Sequence, residues 1–278
     1  MGLITCDQLV LRRMGTSILE SGTRRSARIF GALTSCLKIE YDGTDFRGWA
    51  KQPGQRTVQE ELERALEIVR REPTKLTVAG RTDAGVHAWG QVASHPGDPA
   101  NVRSLNSLLP DDVAVLISEQ AADGFDARAD ATSRTYCYRV WNHRERPALL
   151  RGRVLWCSYR LDPGLLSACA QLLTGQHDFE AFTLSQQPYD SYRRTVARAE
   201  WIQGEKVLEF WIEGDAFTRR MVRGLVAIQI DVARGAKPIE ELARLLDGAP
   251  RAEGGGTAAA HGLYLAAVSF GGPGAGAT

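Results

Sequence analysis

The chain has 278 residues, 34 basic and 33 acidic side chains and a formal net charge of +1, the balance of an ordinary globular protein rather than of a basic nucleic-acid tail or a disordered polyanion. No run of 18 or more apolar residues occurs, so no membrane span is indicated. Five cysteines, an odd number without a Cys-x-x-Cys pair, are neither a disulfide framework nor a structural zinc site and read as buried thiols.

All but five of the 34 basic residues are arginine. Guanidinium forks suit phosphate and base stacking, although a GC-rich genome produces the same excess. Near the N-terminus, Arg12 and Arg13 interrupt the apolar stretch that a secretory signal needs, and Cys6 stands where myristoylation requires Ser or Thr, so the cytoplasm is the expected compartment.

In chain order, residues 1–34 mix Arg, Ser, Gly and Thr without a period. They read as a flexible extension or as the product of an upstream start codon. Cys36 to Tyr41 reads as a strand. Thr57 to Glu72 reads as a helix with Val58, Leu62, Ala65, Leu66 and Val69 on one face, opened by a Thr57–Glu60 capping box and stopped by Pro73. Strands are expected at Leu76–Ala79, Gln91–His95, Val113–Gln120 and Arg134–Trp141.

The stretch from Asn142 to Arg153, with five charges and Pro147, reads as a linker. Beyond it come a helix at Pro163–Leu173, a hairpin of Val196–Gln203 and Lys206–Glu213, helices at Thr218–Val232 and Pro238–Leu246, and a strand at Leu263–Phe270. The division is an extension (1–34), a first half (35–142), a linker (143–155), a second half (156–270) and a flexible glycine-rich tail (271–278). Two halves of β-α-β-β content point to an α+β fold in which two ferredoxin-like units share a sheet.

The most telling segment is Gly80-Arg81-Thr82-Asp83-Ala84-Gly85-Val86-His87. It carries one acid from the end of a strand into a glycine-bounded loop. A nearby arginine favours the charged form of a carboxylate, and a positioned carboxylate can act as nucleophile or general base. The same residues also suit a plain turn, where Asp and Gly dominate for conformational reasons.

Further segments stand in order along the chain: Lys38-Ile39-Glu40-Tyr41-Asp42-Gly43-Thr44, Phe46-Arg47-Gly48-Trp49, Arg56-Thr57-Val58-Gln59-Glu60, Gly90-Gln91-Val92, Phe125-Asp126-Ala127-Arg128, Ser133-Arg134-Thr135-Tyr136, Gly175-Gln176-His177-Asp178-Phe179, Met221-Val222-Arg223 and Gly262-Leu263-Tyr264-Leu265. Together with the Asp83 loop they resemble the tRNA pseudouridine synthase A family from about Leu37 to Phe270. The chain departs from the usual pattern at Ala50, where the family carries glutamine, at Ala227, where it carries glycine, and in an alanine-rich stretch before Gly262, where proline is more usual. These departures bear on packing or RNA fit rather than on the loop.

The resemblance implies a cofactor-free and metal-free isomerase that converts uridines 38 to 40 of the tRNA anticodon stem-loop to pseudouridine in a central RNA-binding cleft. It also implies a mixed, mostly antiparallel sheet and a homodimer. Asp83 takes the place of the nucleophile, attacking uracil C6 or ribose C1′. Tyr136 takes that of the residue stacking on the flipped base, against a core tyrosine on the residues alone. Arg223 matches the partner of the aspartate, on a helix face where Arg219, Arg220 and Arg223 otherwise read as a solvated stripe. Arg81 matches the residue that displaces the target nucleotide, with a structural salt bridge as the competing reading. A pseudouridine synthase with another RNA target and a non-catalytic RNA-binding protein of the same fold are the alternatives.

Overall fold

A computed structural model describes residues 33–184 and 189–271. The expected extension up to residue 32, the tail 272–278 and Cys6 lie outside them. Thr34, counted with the extension, already opens the first strand.

Among the described residues, ten strands form a single sheet: β1 (Thr34–Tyr41), β2 (Thr77–Val78), β3 (His87–Pro96), β4 (Val113–Gln120), β5 (Ala131–Asn142), β6 (Leu155–Cys157), β7 (Gly175–Asp178), β8 (Arg193–Gln203), β9 (Val207–Gly214) and β10 (Leu263–Phe270). The helices are α1 (Val58–Arg70), α2 (Val102–Asn106), α3 (Pro163–Leu173), α4 (Met221–Ala233) and α5 (Ile239–Leu245).

The order is β4-β1-β3-β10-β5-β9-β8-β7, with β2 also on β3 and β6 on β5. Only β10–β3 and β5–β6 are parallel; the other pairings are antiparallel. The topology contains the same unit twice. In the first, β1-α1-β2-β3-α2-β4 places its strands fourth, first, third, second across the sheet. In the second, β5-α3-β8-β9-α4-β10 does the same. That is the ferredoxin-like β-α-β-β-α-β arrangement. β10, the last strand of the second unit, lies against β3 of the first and closes the sheet. β5 opens the second unit, although the sequence reading counted it with the first half and set the linker after it.

One apolar core runs under both units. It includes Leu37, Ile39, Leu62 and Leu66 on one side and Leu166, Phe210, Leu225 and Val226 on the other. α1 buries Val58, Leu62, Ala65 and Leu66 as its 3.6-residue period requires, and each large side chain contributes about 1.5–3 kcal/mol. The capping box does not form. Thr57 is the N-cap, but its side chain makes no capping hydrogen bond and its Oγ1 is buried without a partner. Arg71 ends the helix in the left-handed region, φ 60°, before Pro73 is reached.

Cys36, Cys137, Cys157 and Cys169 are buried thiols. Among the described residues no helix is long and apolar enough to cross a membrane.

Candidate active site

β2 ends at Val78, and the loop that follows is fixed by backbone packing before any charge is considered. The Trp49 N–H donates to Thr82 O (3.1 Å), the Gly85 N–H to Phe46 O (3.3 Å) and the Val86 N–H to Asp83 O (3.2 Å). Two glycines allow this closeness. A Cβ on Gly43 would stand 2.0 Å from Val86 O, and one on Gly48, which has φ +97°, would stand 2.8 Å from Thr82 O. Beneath the loop, the Thr82 and Tyr41 hydroxyls share a hydrogen bond of 2.7 Å, and Gln91 Nε2 donates to Gly80 O at 2.7 Å. Burial pushes the Tyr41 phenol up to about 12, so it enters this network as a neutral hydroxyl.

So held, Asp83 presents a carboxylate with a side-chain exposure of 23%. Arg223, in the first turn of α4, brings Nη1 to 3.4 Å from Oδ2, while its Nε donates to Ala258 O at 2.7 Å. The fork is divided between the aspartate and a main-chain carbonyl rather than closed bidentately on Asp83. Arg219 approaches the other oxygen, with Nε 3.8 Å from Oδ1. Between the two arginines, Arg220 takes a left-handed backbone, φ 64°. A bulky residue there costs about 1–2 kcal/mol, and the turn it makes lets the chain present arginines to Asp83 from two directions.

The helical stripe of Arg219, Arg220 and Arg223 expected from the sequence therefore does not exist. α4 begins at Met221, and Arg223 is only 12% exposed.

Tyr136 projects from β5 into the same cleft. It is 8% exposed and meets Phe217 edge-on, with ring centroids 5.1 Å apart. Burial, aided by the nearby Tyr41 and Asp83, drives its phenol well above the ordinary tyrosine range. Tyr138, two residues on, is fully buried and donates to Ala259 O. Arg81 is exposed, and among the described residues no ion pair or hydrogen bond engages its guanidinium, so the competing salt-bridge reading has no partner.

His87 sits away from this cleft. It is 1% exposed, accepts from the Gly43 N–H at Nδ1, faces two carbonyls at Nε2 and stacks on Tyr264, as a structural residue does. His95 and His177 make local main-chain contacts.

The cleft has a volume of about 970 Å³. Among the described residues seven arginines line it, Arg47, Arg81, Arg128 and Arg219 among them, and Asp83 is the single carboxylate. In a chain of net charge +1, that segregation focuses positive potential on one opening. The four residues singled out from the sequence, Asp83, Arg81, Arg223 and Tyr136, all line this cleft. Sequence reasoning missed Arg219 as a partner of Asp83, and Arg47, Arg128 and Phe217 as cleft residues; only the fold brings these segments together. Ala50, one of the departures from the family pattern, also lines the cleft.

The family model of tRNA pseudouridine synthase matches residues 38–119 and 169–271. The chain belongs to this family and is, as such, an isomerase. It is similar to the tRNA pseudouridine synthase A of Acetivibrio thermocellus, 37% identical over 240 residues that cover 84% of this chain and 98% of that protein. The tRNA pseudouridine synthase A of Nitrosomonas eutropha is 38% identical over 239 residues, covering 84% and 86% of the two chains. That of Alcanivorax borkumensis is 39% identical over 240 residues, covering 84% and 90%.

Proposed function

We propose that this chain converts uridine to pseudouridine in the anticodon stem-loop of tRNA, at positions 38 to 40, with Asp83 as the nucleophile. The observation that carries the reading is a carboxylate, approached by Arg223 and Arg219, in a cleft whose other charged lining residues, among those described, are all arginines.

The reaction breaks the N1–C1′ bond, turns the base and joins C5 to C1′. The C5 proton is lost and N1 gains one, so no electrons are exchanged and no cofactor is called for. Asp83 attacks uracil C6 or ribose C1′ and holds one fragment while the other turns. The Tyr136 ring stacks on the base, and its neutral hydroxyl offers a hydrogen bond. Arg223 and Arg219 orient the carboxylate. Arg81, exposed and without an ion-pair or hydrogen-bond partner among the described residues, fills the space left by the displaced nucleotide, which offsets part of the few kcal/mol that flipping costs. Exposed cleft arginines such as Arg47 and Arg128 meet phosphates.

The same reading takes the enzyme to act in the cytoplasm, where its substrate is, and as a homodimer. Equilibrium sedimentation tests the dimer.

Asp83→Asn tests the nucleophile. Incubation with unmodified tRNA, followed by chemical mapping of pseudouridine, is expected to show a loss of about ten-thousandfold, on the order of 5 kcal/mol. tRNA affinity should hold or rise because a negative charge leaves the cleft. Turnover within tenfold of the parent enzyme refutes the assignment.

A further inference from the structure

Arg134 lies on β5, two residues before Tyr136, and none of its donors is left for RNA. A guanidinium carries five N–H groups. Nε donates to Ala79 O (3.2 Å), Nη2 to Ala79 O (2.9 Å) and Arg128 O (3.1 Å), and Nη1 to Ala131 O (3.0 Å) and Asp215 O (2.9 Å). All five end on main-chain carbonyls. Two of the four carbonyls belong to the segments that meet at the reacting carboxylate. Ala79 immediately precedes the Gly80–Asp83 loop. Asp215 follows β9 and leads through Phe217 into Arg219 and α4.

We propose that Arg134 is a positioning residue that ties the loop carrying Asp83 to the segment carrying Arg219 and Arg223, and so sets the geometry of the aspartate and its arginines. The proposal rests on the reading of Asp83 as nucleophile. Placed among cleft arginines, Arg134 would ordinarily pass for a phosphate ligand, but a saturated fork has nothing to offer a phosphate. Its cation is also bonded to Ala79 at the root of the loop, where a shift of an ångström would be carried toward Asp83. Displacements of that size cost about a hundredfold in rate. A lysine keeps the charge but has three donors radiating from one point, which cannot span four carbonyls on three segments.

The test compares the parent enzyme with Arg134→Lys, Arg134→Gln and Asp83→Asn. Three quantities are measured on an unmodified tRNA transcript: the single-turnover rate at saturating enzyme, the tRNA dissociation constant by filter retention, and the melting temperature of each protein. Arg134→Lys and Arg134→Gln are expected to lose about tenfold to a hundredfold in rate while binding tRNA within about threefold of the parent. A parent-like rate in a folded Arg134→Lys or Arg134→Gln, with Asp83→Asn inactive, overturns the positioning role alone. A weakened affinity with an unchanged saturated rate overturns it in favour of an RNA contact. Loss of the folded state in both Arg134 variants overturns it in favour of a purely architectural role. An active Asp83→Asn overturns the nucleophile reading itself, whatever the Arg134 variants do.

Discussion

Asp83 is held by two arginines of very different standing, and their replacement by glutamine should separate them. Arg223 is 12% exposed and donates to Asp83 at 3.4 Å. A hydrogen bond to a charged group in such a setting contributes about 1.5–3 kcal/mol, which corresponds to roughly tenfold to 150-fold in rate if the orientation of Asp83 limits the chemical step. Arg219 is 52% exposed and stands at 3.8 Å. Solvent screening reduces such a pair to about 0.2–1 kcal/mol, at most about fivefold in rate. Arg219 retains reach toward the cleft mouth, so its loss should appear mainly in tRNA affinity and in a shallower salt dependence. Arg223→Lys should fall between, because one ammonium can serve either Ala258 O or Asp83 but not both. The assay is single-turnover conversion of unmodified tRNA at saturating enzyme, with affinity measured separately. Equal rate losses for Arg219→Gln and Arg223→Gln, or a loss below threefold for the latter, would refute this division.

Tyr41 supplies a pH dependence. Its phenol is raised to about 12 in the folded chain, so the stability it contributes is complete below the unfolded value of about 10 and is lost as pH rises from there toward 12, by roughly 3 kcal/mol. Melting curves from pH 9 to 12 should show this loss, and a smaller one in Tyr41→Phe; identical slopes would contradict it. Gly43→Ala forces a Cβ within 2.0 Å of Val86 O, and overpacking of about 1–3 kcal/mol should lower the melting temperature by roughly 2–12 °C, with a loss of rate because the strained carbonyl lies three residues from Asp83. Tyr136→Phe should stay within about tenfold of the parent in rate, since it keeps the ring, while Tyr136→Leu should lose about 1–3 kcal/mol of stacking; the reverse order would assign the chemistry to the hydroxyl.

The sequence carried the loop and the strands well because both have local causes. β4, α3 and β10 fall on the expected residues, since alternation and proline or Asp caps are written within each segment. The ferredoxin-like units were legible as element order. Their junction was not, because a strand's membership depends on which neighbour it pairs with, and β5 pairs with β9 and β10, far ahead in the chain. The Thr57 capping box failed for a tertiary reason: the residue is fully buried against the core, and packing there overrode the local hydrogen bond. The arginines after Thr218 were misread as one helical stripe because a positive φ at a non-glycine residue has no signature in a single sequence. Yet that backbone turn is what lets Arg219 and Arg223 address two oxygens of one carboxylate.

On the proposed reading, a nucleophilic carboxylate in an RNA-binding cleft is at odds with its substrate, because it brings negative charge to a polyanion. The structure answers with an arrangement in which charge and position are supplied by different groups. Arg223 and Arg219 offset the carboxylate where it stands, and other cleft arginines such as Arg47 and Arg128 are, on that reading, the ones that offset the phosphates. The loop backbone, by contrast, is held largely by contacts to main-chain and uncharged groups: bonds from Trp49 and Gly85, the Tyr41 and Gln91 side chains, two glycines that admit the backbone, and the Arg134 fork on main-chain carbonyls. Such contacts are screened little by salt, whereas the phosphate contacts are screened strongly. Raising the ionic strength should therefore weaken tRNA binding steeply while leaving the rate at saturating enzyme nearly constant. A saturated rate that falls in parallel with affinity would show that the geometry of Asp83 is itself held by charge.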